Sequence, residues 1–145
     1  MWKLIRPDAE RVLEDEECRS SLSRYFSILE GERYAKYRLA RRIKASFNPQ
    51  SSLEDLWRLH EKLTKEYYET EKAVDRGELS LKELPIQEKS YLDLKVEIAR
   101  RILEECRFCE RRCKVNRLKG EKGFCRCGVE AEVSSYFTHL GEEPE

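Results

Sequence analysis

Cys106-Arg-Phe-Cys109-Glu-Arg-Arg-Cys113, followed by Phe124-Cys125-Arg-Cys127-Gly128, is the stretch around which this chain is organised. Five of the six cysteines fall here, with gaps of two, three, eleven and one residues between successive thiols. A thiolate is a soft ligand, and four of them close a tetrahedral shell around Zn2+ or hold an iron–sulfur cluster. Two cysteines separated by two residues reach one ion from a tight turn. Lys119-Gly120-Glu121-Lys122-Gly123 then offers a reversal that brings Cys125 back towards the first three. The competing readings are reduced buried thiols, or two disulfides. The remaining cysteine, Cys18, lies among acids (Glu14 to Glu17) and reads as a free surface or half-buried thiol.

The same stretch carries a resemblance. Cys106-x-x-Cys109-x-x-x-Cys113-x-Val115-Asn116-Arg117 is followed by Gly120-Glu121-x-Gly123-x-Cys125, Ser134-Ser135 and His139-x-Gly141-Glu142-Glu143-Pro144. This string resembles the segment preceding the radical-SAM core in uncharacterised proteins similar to pyruvate formate-lyase-activating enzymes. It covers residues 106–144, whereas residues 1–105 resemble no family we can name. The resemblance implies that Cys106, Cys109, Cys113 and Cys125 are the metal ligands. Cys127 stands where the family pattern suggests a small non-ligand residue. The barrel that follows in the family uses a C-x3-C-x2-C triad. Here the first three cysteines have the opposite order of gaps, and no other window of the 145 residues supplies the triad. What the resemblance implies is therefore a metal-binding accessory or leader segment rather than an enzyme on its own; the alternative is an iron–sulfur electron-transfer or cluster-carrying partner of a separately encoded radical-SAM barrel.

Length and composition set the frame. At 145 residues the chain is one domain, or a helical domain over 1–105 with a cysteine-rich module over 106–145. Charged residues make up 40% and hydrophobic ones 39%, so the core is lean. The net charge is zero, which supplies no global field towards nucleic acid or membrane. No run approaches the ~18 apolar residues that span a bilayer, and Met1-Trp-Lys-Leu-Ile-Arg-Pro7 is too short in apolar residues for a secretory core. A cytoplasmic location is expected, where clustered cysteines favour metal over disulfides. Scarce Asn and Gln (Asn48, Asn116, Gln50, Gln87) beside abundant Lys, Glu and Arg hint at a thermophilic source.

The pattern before the cysteines is helical. Pro7-Asp8 opens a segment in which Val12, Leu13, Leu22, Tyr25, Phe26 and Leu29 recur at helical intervals, until Gly31 ends or kinks it. Tyr34, Tyr37, Ala40, Ile43 and Phe47 predict a second helix over Arg33–Phe47. Its other face would gather Arg33, Lys36, Arg38, Arg41, Arg42 and Lys44, either to meet a nucleic-acid backbone or acidic partner, or as a solvated face balanced by neighbouring acids. Asn48-Pro49 breaks it. Ser51-x-x-Glu54 reads as a capping box, opening a long helix striped by Leu53, Leu56, Trp57, His60, Leu63 and Tyr67 and capped at Gly77. His60 on that stripe reads as a core or boundary histidine before a ligand. From about Gln87 another helix begins, with stripes Tyr91, Leu94, Ile98, Ile102 and Leu92, Val96, Ala99, Leu103, and runs straight into Cys106. After Cys127, alternation in Val129–Val133 and the extended character of 134–137 predict a short strand or hairpin arm. The expected fold is thus mainly α, three to five helices in an irregular bundle, ending in a small cysteine-rich metal-binding module with a short β element.

Which four thiols act is left open by spacing. Cys127 is an alternate for Cys125, because neighbours on an extended segment point to opposite sides, and His139 is a possible ligand or outer-shell donor. Four cysteines saturate either Zn2+ or a 4Fe-4S cluster, leaving no position for activated water; zinc is favoured for the isolated module. Between Cys106 and Cys127 eight cations face two acids, a surface suited to RNA, DNA or an acidic protein, or to offsetting the thiolate charge. No phosphate loop, nucleophile elbow or other catalytic constellation is present.

Overall fold

The computed structural model describes residues 14–130, 132 and 133. The chain divides into two units, Met1–Tyr34 with Val133–Glu145, and Ala35–Glu132. The described fold is mainly helical, and none of its helices is long and apolar enough to cross a membrane.

In the first unit, α1 (Glu16–Ser21) and α2 (Ser23–Leu29) follow one another closely. The Asp15 carboxylate accepts the Cys18 N–H at 2.8 Å, and Glu16 and Glu17 sit in the first turn, where the helix dipole favours acids. Phe26 is buried beneath the Arg19 guanidinium, which also pairs with Glu30 at 2.5 Å. Leu22, Tyr25 and Leu29 of the predicted stripe are exposed. Gly31 ends the section in a left-handed conformation (φ 79°), as its position suggests. The predicted start between Pro7 and Leu13 lies outside the described residues.

The second unit departs from expectation at its beginning. Instead of one helix over 33–47, only α3 (Lys36–Ala40) is helical. The chain then turns and runs extended beside residues 87–91. Gln87 N–H donates to Arg41 O, Ala45 N–H to Lys89 O and Tyr91 N–H to Ile43 O, with Lys44 and Ser90 bridged antiparallel. Ile43 and Ala45 are buried while Lys44 and Ser46 are exposed, the two-residue period of an extended segment. The predicted basic helix face is dispersed accordingly. Arg42 donates to Leu84 O and Arg38 O, and Lys36 lies over the Tyr68 ring.

α4 (Leu53–Asp75) and α5 (Tyr91–Glu104) form the core with α3 and Leu81. The cap of α4 is Ser52 rather than Ser51. Its hydroxyl accepts the Asp55 N–H at 3.1 Å and donates to the Asp55 carboxylate at 2.6 Å. At the other end Gly77 is left-handed (φ 74°), and Glu78 N–H to Ala73 O with Gly77 N–H to Val74 O close the helix. α5 starts four residues later than predicted, at a complete capping box between Ser90 and Asp93. Ser90 is itself buried, and its hydroxyl hydrogen bond holds the Asp93 carboxyl below the usual carboxylate range. Tyr91 lies against His60, Thr64 and Tyr67, while Arg101, near the far end of α5, donates to Pro49 O ahead of α4. The two helices therefore run antiparallel. Leu56, Leu63, Leu94 and Ile98 fill the contact; Val96, on the second predicted stripe, is exposed.

Beyond Cys127, the alternating segment is not a strand at Val129, Glu130, Glu132 or Val133. Alternation makes a strand only where a partner and an apolar surface receive it, and Val129 and Val133 are exposed. Ala131, Ser134–Phe137 and His139 lie outside the described residues.

Candidate functional site

The cysteine segment begins where α5 stops. Glu105 leaves the helical conformation (φ −141°, ψ 79°), and Cys106 is buried at once. Cys106 N–H donates to Val115 O, and Lys114 N–H donates to Cys106 O, so two reciprocal bonds close the loop that carries Cys109 and Cys113. Arg112 N–H donates to Cys109 O across a turn, and Arg112 and Lys114, flanking Cys113, both have positive φ (41° and 58°).

The next residues form a frame in which each side chain has a visible task. Asn116 caps a 3-10 turn over Arg117–Lys119, its side chain accepting the Lys119 N–H at 3.1 Å. Gly120 ends that turn left-handed (φ 82°), which a β-carbon would oppose. Glu121 then folds back: its carboxylate accepts the Asn116 N–H at 2.8 Å, and its own N–H donates to Asn116 O. Gly123 leaves room for the Cys113 sulfur, which would stand 2.9 Å from a β-carbon placed there. The turn packs on α5, so the frame is fixed to the helical core.

Arg117 is the centre of this arrangement, and it is buried. Its Nε donates to Cys106 Sγ at 3.1 Å and its Nη2 to Cys125 Sγ at 3.0 Å, while Nη1 donates to Cys127 O and reaches Gly128 O at 3.5 Å. One planar guanidinium thus bridges two sulfurs eleven and eight residues away. The Phe108 backbone amide near Cys106 and the Cys127 backbone amide near Cys125 act on the thiols in the same direction. These donors stabilise thiolate over thiol. The Phe108 N–H, followed by Arg117, holds the Cys106 thiol below its usual range. Arg117, followed by the Cys127 N–H, lowers Cys125 to about 7. The same thiolates push the Arg117 guanidinium upward. Cys127 is shifted the other way by the neighbouring Cys125 sulfur, and its own Sγ lies 3.5 Å from Cys125 O.

All six cysteines are free thiols. Of the sequence-predicted ligands, Cys106 and Cys125 are brought together at Arg117. Cys113 sits against Gly123, and Cys109 is exposed on its loop. Among the described residues no three His, Cys, Asp or Glu side chains stand together as a ready metal site. The donor set suits a thiophilic ion, with two sulfurs in ligand-like surroundings and two more on a short loop, but the gathering extends to two. Cys18 is half-buried in the first unit, its thiol raised by burial and then by Asp15. His60 is held by Tyr91 Oη and Lys95 Nζ, each 3.1 Å from Nε2. The ammonium makes Nε2 an acceptor, so Nδ1 carries the proton, and burial, then Lys95, lowers the imidazole pKa. Arg117 is the residue the sequence reading missed as part of the site; it stood there at the end of the Val115-Asn116-Arg117 string and among eight cations, with no role assigned.

No family model matches the chain. An uncharacterised protein of the thermophilic archaeon Methanocaldococcus jannaschii is 38% identical over 122 residues, covering 84% of this chain and 33% of that protein. The chain spans about a third of its relative's length. No solved structure matches it.

Proposed function

We propose that residues 106–127 are a structural metal centre, with Cys106, Cys109, Cys113 and Cys125 as ligands and Zn2+ as the ion. The protein is then a metal-binding accessory or interaction segment rather than an enzyme in itself. The observation carrying this reading is the paired environment of Cys106 and Cys125. Both sulfurs accept from one guanidinium, at 3.1 and 3.0 Å. A cation donating to sulfur favours the thiolate that a metal ligand must be. Bound zinc would supply folding free energy to a segment with little apolar surface. Six free thiols fit a reducing, cytoplasmic setting.

The wider role follows from the resemblance to the segment preceding a radical-SAM core. The alignment with a third of a longer relative is compatible with such a leader. In that case the module contacts a barrel encoded with it or separately, and an iron–sulfur cluster is the alternative occupant. Metal analysis with an anaerobic visible spectrum on one sample tests both. One zinc per chain and no colour supports the structural centre; iron with sulfide and a brown sample replaces it by the cluster; neither metal removes it.

A nucleic-acid role has one specific observation in its favour. Phe108 and Phe124 are exposed on the cysteine loops, Phe124 under the Arg111 guanidinium at 4.0 Å. Rings presented among cations suit stacking on single-stranded bases. Steeply salt-dependent binding of an oligonucleotide would support this, and no binding at low salt would remove it.

A further inference from the structure

The four thiols of the centre stand in two different conditions. Cys106 and Cys125 are held by the same side chain, Arg117. Cys109 and Cys113 ride on the loop between Cys106 and Val115, whose described backbone bonds are its closing pair and one turn, and whose residues on both sides of Cys113 are left-handed. All three nitrogens of the Arg117 guanidinium are engaged: Nε and Nη2 on sulfur, Nη1 on the carbonyls of Cys127 and Gly128. The residue is anchored by a 3-10 turn that Asn116 caps and that packs on α5.

We propose that Arg117 is the positioning residue of the centre, gathering Cys106 and Cys125 into a preformed half-site onto which Cys109 and Cys113 close when metal binds. This rests on the four-cysteine reading above. The rigid fork of a guanidinium sets the separation of its two acceptors, which an ammonium on a flexible stem cannot do. Its positive charge offsets the repulsion between two neighbouring thiolates, and its third nitrogen fastens the loop that carries Cys125. The remaining ligands then need only one loop to move. Outer-shell donors of this kind typically change metal affinity by about 10–100-fold when removed.

The test compares wild type, R117K and C109S, with R117Q as a second variant in case R117K loses its helical signal. Zinc affinity is read by chelator competition and by sulfur-to-cobalt charge transfer after Co2+ loading, and the half-site by amide exchange in the metal-free protein at Arg126, whose N–H donates to Gly123 O in the loop that carries Cys125. The expected result is about 10–100-fold weaker zinc binding and shifted charge-transfer bands in R117K. Protection at Arg126 should be lost in R117K but kept in C109S. Wild-type affinity and spectrum in R117K would overturn the proposal. Protection that is insensitive to R117K and R117Q would overturn the half-site itself. A wild type that takes up no metal while keeping Arg117-dependent protection would instead remove the four-cysteine reading, and the closing step with it.

Discussion

Gly123 offers the sharpest test of how the cysteine segment is packed. A β-carbon at this position would lie 2.9 Å from Cys113 Sγ, 3.1 Å from Cys113 Cβ and 3.3 Å from Val115 Cγ2. Comfortable contacts begin at about 3.5–4.0 Å, so Gly123→Ala is short by roughly 0.6–1.1 Å against the sulfur. Gly123 is not left-handed, so the added methyl meets steric opposition without backbone strain. Overpacking of this kind costs about 1–3 kcal/mol, offset by about 0.4–1 kcal/mol from a stiffer unfolded chain. The expected net loss in the metal-free protein is about 1–2 kcal/mol, measured as a lower urea midpoint. Cys113 relieves the clash by swinging its sulfur away from position 123. Gly128→Ala is the control. Nothing lies within 4 Å of its added carbon, and it should be neutral or slightly stabilising. If G123A is as stable as G128A, Cys113 is not seated against Gly123.

Three further outcomes follow from the same structure. In metal-free protein, alkylation of Cys125 should rise with a midpoint near pH 7, and Cys127 should react only at higher pH. Because the folded-state value of Cys125 is depressed, its stabilising contribution is present above the unfolded thiol range and lost as pH falls through about 7; peptide mapping showing identical profiles would contradict the Arg117 contact. His60 is also depressed, so below its ordinary value of 6.5 the unfolded chain binds more protons and stability falls with acidification. An NMR-detected imidazole titration should show this, and His60→Gln should flatten the acid side of the stability curve. Ser90→Ala removes the α5 cap and should cost about 1 kcal/mol, seen as a lower melting temperature. It should also reduce amide protection at Cys106, since α5 delivers that residue; unchanged protection there would uncouple helix and site.

The long helices were legible because stripe, cap and stop agreed. Leu56, Leu63 and Tyr67 are buried as the stripe of α4 predicts, and Gly77 closes it. The start was off by one because Ser51 and Ser52 each precede an acid by three residues, and propensity does not choose between them. α5 was placed too early for a tertiary reason: Gln87 to Ser90 are occupied in pairing with Arg41–Ala45. The same pairing undid the predicted helix over 33–47. Positions 34, 37, 40, 43 and 47 satisfy helical spacing, yet Ile43-Lys44-Ala45-Ser46-Phe47 also alternates, and the partner that decides between them lies some 45 residues on. In the cysteine segment the reversal at Lys119–Gly123 was readable from its glycines. The role of Arg117 was not, because a cation count carries no information about which one turns inward.

Among the described residues, the non-glycine positions with positive φ are Arg112, Lys114 and Arg126. A left-handed L-residue costs about 1–2 kcal/mol that glycine would largely avoid. Three strongly helix-compatible cations therefore occupy sites where backbone preference alone would select glycine. For an engineer this marks an unspent reserve: glycine at all three should firm up the fold while erasing about thirteen side-chain N–H donors from the loop surface. Glycine-scanning the three positions measures how much stability the left-handed cations forgo.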